Sequence, residues 1–388
     1  MTATSRRPLL FASACGGIFV FGIALAILGA LFGLPAMRDR LDINLAQQGD
    51  VFFALFFGVF LATLLVGPTI DSFGNKVVLS ASAALVAAAL VGFSFAQSYA
   101  AAMAAATLLG FGGGGLNTST NALTADLYAA NRGAMLNVLG TFFGFGALFI
   151  PFLAAAITEW LTIPQLFLLG AGLSVLCLLA YLALRFPPPS EPIGFSLLAT
   201  VRVARYPGVM LFAILLFFQS GNESSIGGWT STYLGTLGAT PRTATWVLAG
   251  YWAALMLGRL ASAKLLDWMS KQSLVFASGI GSVIGCLILV SSRSVPILSI
   301  GSIVVGLSFA AIYPTTLAMA ADRYQRLAGT IFGVLFACGL VGGMIAPWGL
   351  GHLSQAVGMR AGMFIPLIGS AMIAVMVAVI RGRDAKRV

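Results

Sequence analysis

The chain has 388 residues, of which 59% are apolar and 8% charged, with a formal net charge of +10. A soluble domain carries about a quarter charged residues, so this composition cannot cover a water-facing surface. The basic excess forms no contiguous face, which excludes a nucleic-acid footprint.

Apolar runs of about 20 residues follow one another, each long enough to cross about 30 Å of hydrocarbon as a helix. Twelve are read in chain order, at 11–34, 51–70, 77–97, 100–125, 134–157, 164–185, 208–234, 243–263, 273–292, 296–321, 329–352 and 361–381. The runs are continuous rather than alternating, so helices are expected and a membrane barrel is not. The reading is an all-α membrane protein with twelve transmembrane helices in two parallel six-helix halves. The halves are 1–185 and 208–388, with 186–207 as a linker opened by Pro187-Pro188-Pro189, which cannot continue a helix. The linker segment from Phe195 to Arg205 is expected to lie along the membrane surface. No cleavable signal peptide is evident, and no soluble domain is expected.

The halves repeat at an offset of 196 residues. Asp71 returns as Asp267, Gly110 as Gly306, Asp126 as Asp322, Gly133 as Gly329 and Pro151 as Pro347. A fixed self-similarity of this kind marks a tandem duplication. Sixteen of the 21 Lys and Arg fall on the side of the termini, and five (Arg38, Arg40, Arg242, Arg293, Arg360) on the other. By the positive-inside rule both termini are cytoplasmic, in a multi-pass protein of the plasma (inner) membrane. Cys15, Cys177, Cys286 and Cys338 lie inside predicted helices without metal-ligand spacing and read as packing residues.

Matched charges mark the cytoplasmic turns. Asp71 and Lys76 lie in the turn between helices 2 and 3, and Asp267 lies in its counterpart after Arg259. Asp126 with Arg132, and Asp322 with Arg326, close helices 4 and 10. Acids at helix ends beside basic residues of neighbouring helices can latch one conformation and break in another, so these eight residues are read as a gate.

The turn Gly67…Asp71…Gly74…Lys76 resembles the helix 2–3 signature of the major facilitator superfamily, with Ser72 where that pattern has a basic residue. Four segments resemble the fucose–galactose–glucose permease family and its sodium-dependent glucose transporter branch. They are Gly112 to Asn121, Leu136-Asn137 with Phe142 to Ala147, Gly227-Gly228-Trp229 with Tyr233, and Gly306 to Thr315. The resemblance implies hexose recognition, cation symport (H⁺ or Na⁺) and alternating access around a site between the halves. Fucose permease-like symporters carry acids in helices 1 and 4. Here helix 1 has no ionisable residue and mid-helix 4 offers Asn117 and Asn121.

Ten of the eleven acids lie at interfaces or in loops; Glu223 sits well inside helix 7. Intramembrane carboxylates are costly and mark functional positions, so Glu223 is the expected coupling residue. Gln219 and Asn222 surround it, and Gly227-Gly228 is expected to loosen the helix and free carbonyls for a cavity. Asn117 and Asn121 share a helix face four residues apart, and Asn137 opens helix 5. Amides both donate to and accept from hydroxyls, which suits a neutral polyol. Trp229, Tyr251, Trp252 and Tyr313 are the aromatic candidates for a sugar's C–H faces. His352, at the outer end of helix 11, reads as a hydrogen-bonded structural residue. What fails to repeat is expected to carry the substrate: Asn117 against Tyr313, Asn121 against Leu317, Asn137 against Gly333, and Glu223 against Ile27. The function expected is transport of a small neutral sugar by a monomer in the bilayer, without enzymatic chemistry, cofactor, metal or nucleic acid. An exporter of amphipathic compounds is the alternative, which an oily pocket would favour.

Overall fold

The computed structural model describes residues 3–157, 161–188, 205–324 and 328–385. The regular elements among them are all helical. They are α1 (Ala3–Leu31), α2 (Pro35–Leu41), α3 (Leu45–Phe95), α4 (Tyr99–Leu127), α5 (Arg132–Ile157), α6 (Ile163–Ala183), α7 (Pro207–Thr236), α8 (Pro241–Leu265), α9 (Lys271–Ser291), α10 (Val295–Arg323), α11 (Ala328–Val357), α12 (Met359–Gly362) and α13 (Phe364–Ala385), with a 3₁₀ turn at Ala129–Asn131. Residues 195–204 of the surface segment expected within the linker, and Arg326, lie outside the described residues.

Among the described residues, ten helices are long and apolar enough to cross a membrane. One of them, α3, has 51 residues. At 1.5 Å per residue it would be about 76 Å long, more than twice what a crossing needs. Gly74 resolves this: its φ of 79° and ψ of 162° break the helix into two arms, 45–73 and 75–95. A non-glycine residue would be strained there. Two arms make eleven crossings, and α8 makes the twelfth. The α8 helix is less apolar than these, since it carries Arg242, Arg259 and Lys264.

The helix starts follow local capping chemistry. The Ser98, Thr240 and Ser270 hydroxyls accept from backbone N–H groups three residues on, at α4, α8 and α9. Asn44 and Gln47 bond reciprocally at the start of α3.

The chain divides into two compact units. The first is Met1–Ile43 with Ala54–Ile193; the second is Asn44–Phe53 with Gly194–Val388. The first ten residues around the start of α3 thus group with the second unit.

In the first unit, four successive glycines of α4 turn in four directions. A Cβ at Gly112 would overlap Ser82 and Val86, one at Gly113 would press on Phe21 of α1, one at Gly114 would overlap Val59 and Ala62, and one at Gly115 would overlap Ser82. At about 100° per residue, the run lets α1 and both arms of α3 approach α4 together. Small residues allow such close crossings where hydrocarbon supplies no hydrophobic drive.

The second unit repeats the contacts of the first. A Cβ on Gly110 would strike the Leu55 carbonyl, and one on Gly306 would strike the Tyr251 carbonyl. All four positions keep the offset of 196. Gly146 likewise meets the Phe19 carbonyl, and Gly342 meets that of Phe217. Here the glycines keep 196 but the phenylalanines are 198 apart. The register of the first helix of each half is therefore shifted by two, and the counterpart of Glu223 is Leu25, not Ile27. The repeat extends to helix ends. The carbonyls of Ser94 and Val290, again 196 apart, each accept from an arginine, Arg40 of α2 and Arg360 of α12 respectively. These two arginines close helix C-termini.

Candidate functional site

The second unit carries a polar cluster deep in its helices. Glu223 stands mid-way along α7, one turn beyond Gln219. Its Oε1 lies 3.7 Å from a terminal nitrogen of Arg259 on α8, and both side chains are less than one-third exposed. The Gln219 Nε2 donates to Glu223 Oε2 and to the Phe309 carbonyl of α10, each at 3.4 Å. Gln219 is fully buried, and its own Oε1 has no hydrogen-bond partner among the described residues. From α8, the Tyr251 hydroxyl donates to the Glu223 backbone carbonyl at 3.5 Å. Tyr313 of α10 stacks on Phe336 of α11, with ring centroids 6.3 Å apart. Its hydroxyl points to Gly339, beside Ser220 of α7.

Four helices thus assemble this site. Helical spacing puts Gln219 and Glu223 on one face, and the Gly306–Tyr251 crossing brings α8 against α10. The assembly brings a carboxylate, a guanidinium, an amide and a phenol hydroxyl together. The ion pair leaves it with no net charge.

Arg259 belongs to this cluster. From the sequence it is expected in the cytoplasmic gate; the structure sets it against Glu223 instead. Its repeat counterpart is Thr63, so the broken-symmetry test that selected Glu223 would also have found it.

Other expected site residues are placed differently. Asn222 is buried and donates to the Ser370 Oγ of α13 at 3.3 Å, so it ties two helices together. Trp229 is fully buried, donates through Nε1 to the Pro347 carbonyl at 3.1 Å and packs on Phe52. Trp252 covers Gly227, and Phe52 covers Gly228. The glycine pair therefore makes room for two rings; α7 runs unbroken through it, and no carbonyls are freed.

In the first unit, the Asn121 Nδ2 donates to the Asn117 backbone carbonyl at 2.7 Å and to its Oδ1 at 3.1 Å. Both are partly exposed. Asn137 is exposed near the start of α5, and its backbone carbonyl accepts from Thr141.

The expected gate pairs are not seen as such. Asp71, Asp126 and Asp267 form no ion pair among the described residues. Lys76 donates to the Leu182 and Leu184 carbonyls at 2.7 and 2.9 Å, closing the end of α6. Asp322 pairs with Lys271 at 2.5 Å, on the surface. The acids were expected to face basic residues of neighbouring helices, and among the described residues only Asp322 does so. Lys76 is taken up by the carbonyls at the end of α6, and Asp322 by a lysine of α9.

The family model of the Major Facilitator Superfamily matches residues 14–290 and 212–388. The chain belongs to the major facilitator superfamily. An uncharacterised MFS-type transporter of Yersinia pestis is 23% identical over 340 residues, covering 87% of each chain. An uncharacterised transporter of Sinorhizobium fredii, y4wD, is 25% identical over 177 residues, 45% of this chain and 46% of that one. Among solved structures, the nucleoside transporter NupG superposes with a TM-score of 0.81 at 14% identity, covering 96% of this chain and 99% of that one. A D-xylose–proton symporter gives 0.78 at 15%, covering 95% and 96%. The E. coli fucose–proton symporter FucP gives 0.66 at 20%, covering 95% and 98%. At these identities the likeness is one of fold. The chain is a multi-pass membrane transporter of this superfamily and not an enzyme.

Proposed function

We propose that this superfamily member moves a small neutral sugar, a hexose first among them, by alternating access, and couples the movement to protons through Glu223. The observation that carries the reading is the Glu223–Arg259 pair with Gln219 beside it. A net-neutral cluster of donors and acceptors suits a polyhydroxylated neutral solute. Both carboxylate oxygens face nitrogen groups, Arg259 and the Gln219 amide. Sodium needs several oxygen ligands, so this surrounding favours a proton over Na⁺. The resemblance to the fucose–galactose–glucose permease family supports a sugar, as do the sugars named for two of the fold's relatives. The distribution of Lys and Arg supports cytoplasmic termini in a plasma membrane.

The alternative of an amphipathic-compound exporter would call for an enclosed oily pocket. The apolar hollow of about 440 Å³ on the first unit is bordered by Phe19, Phe142, Phe145, Leu148, Phe149 and Phe152. Phe145 and Phe152 are 47% and 48% exposed, as on a lipid-facing groove.

The test is hexose uptake by purified protein in liposomes, with imposed pH or Na⁺ gradients. Wild-type protein is expected to accumulate sugar with a proton gradient. Glu223→Gln is expected to exchange sugar across the membrane without accumulating it. Proton-driven accumulation by Glu223→Gln, or coupling to Na⁺ in its place, overturns the reading.

A further inference from the structure

The amino end of α3 is bound into the second unit by groups that the transport reading does not use. Leu45 N donates to Gln355 Oε1 at 3.1 Å, and Gln48 Nε2 to Thr232 Oγ1 at 3.1 Å. Gly49 and Gly351 allow α3 and α11 into backbone contact. Asp50 sits at the centre: its Oδ1 accepts from Trp348 Nε1 at 3.0 Å and lies 3.7 Å from His352 Nε2. His352 is the chain's single histidine. Its ring lies on that of Trp348, with centroids 4.5 Å apart, and its Nδ1 is 3.1 Å from the Trp348 carbonyl.

The tautomer follows from these contacts. Nδ1 faces a carbonyl, which only accepts, so Nδ1 carries the hydrogen. In the neutral ring Nε2 then presents a lone pair to a carboxylate, an unfavourable contact. Protonation puts a hydrogen on Nε2, and the same geometry becomes an ion pair. Asp50 is the charged group that faces His352 from α3. Arg360 of α12 donates to the Val290 carbonyl, and Thr232 of α7, which is uncharged, accepts from Gln48. An imidazole is the side chain whose charge ordinarily changes between pH 5 and 8.

We propose that His352 and Asp50 form a proton-operated clamp, which holds residues 44–53 against α11 in acid and lets them loosen near neutrality. This segment is continuous with the rest of α3, which groups with the first unit. The clamp stands at the ends of α7 and α11 and is separate from Glu223, so it does not depend on the identity of the substrate.

The test is hydrogen–deuterium exchange of full-length protein in lipid nanodiscs at pH 5.5 and 7.5, corrected for the intrinsic pH dependence of exchange. An ion pair of this exposure shifts an opening equilibrium by about two- to five-fold. Residues 44–53 of the wild type are expected to exchange about two- to five-fold more slowly at pH 5.5. The ratio is expected to fall to about one in His352→Gln. It should do so also in Asp50→Asn, where the amide oxygen can still accept from Trp348. A wild-type ratio of one, or a ratio unchanged in both variants, overturns the proposal.

Discussion

The Glu223–Arg259 pair makes a quantitative claim about folding that can be separated from transport. At 3.7 Å two unit charges attract by about 4.5 kcal/mol at an effective dielectric of about 20. Taking both groups from water cancels much of this, and each keeps some exposure, so a net coupling of about 1–3 kcal/mol is expected. Glu223→Gln leaves the guanidinium without its counter-charge, and Arg259→Gln leaves the carboxylate without its own. Either single change should lower the unfolding midpoint in mild detergent by several degrees, at about 2–4 °C per kcal/mol for a unit of some 200 residues. The double change Glu223→Gln/Arg259→Gln removes both charges and should recover most of the loss. A double-mutant cycle on these proteins reads the coupling directly. If the double variant loses the sum of the two single losses, the charges do not interact, and the site described above is wrongly built.

Three further outcomes are expected. Gly110→Ala and Gly306→Ala each drive a methyl into a backbone carbonyl and should cost about 1–3 kcal/mol; Gly172→Ala, where a Cβ meets nothing within 4 Å, should cost nothing measurable in the same thermal assay. Asn222→Ala should lower stability by about 0.6–1.7 kcal/mol, the range for interhelical polar contacts, while leaving the apparent KM for sugar uptake within two-fold, whereas Gln219→Ala should change that KM. Lys271→Ala breaks an exposed pair and should shift stability by less than about 1 kcal/mol, since Lys271 and Asp322 are 37% and 63% exposed; a larger loss would show that the pair carries structural weight.

Much of the architecture was legible in the chain because the signals are local. Hydropathy runs set the number of crossings, since hydrocarbon demands internally bonded helices whatever the neighbours are. Gly74 in the turn after Asp71, and the capping residues at Ser98, Thr240 and Ser270, act over three or four residues. The repeat was also readable, because duplication copied the close crossings at Gly110 and Gly306 along with their sequence context. Glu223 stood out by itself, since a carboxylate amid apolar residues contrasts with everything around it.

What the sequence could not settle was which way each side chain faces. Asn222 and Glu223 are adjacent, yet about 100° of helical rotation turns one to Ser370 of α13 and the other to Arg259 of α8. Trp229 and Tyr251 are equally aromatic, and only packing shows that one fills the joint with Phe52 and Pro347 while the other reaches the Glu223 backbone. The linear charge pattern placed Lys76 with Asp71 in the gate, but Lys76 closes the end of α6 instead. The two-residue shift that pairs Glu223 with Leu25 was invisible as well, because several apolar residues near position 27 fit the pattern equally. The sequence by itself therefore determined the twelve crossings, the duplication and the buried acid, all consequences of short-range chemistry. The tertiary structure decided the partner of that acid, the facing of its neighbours and the unit to which residues 44–53 belong, because these depend on how packed helices are rotated against one another.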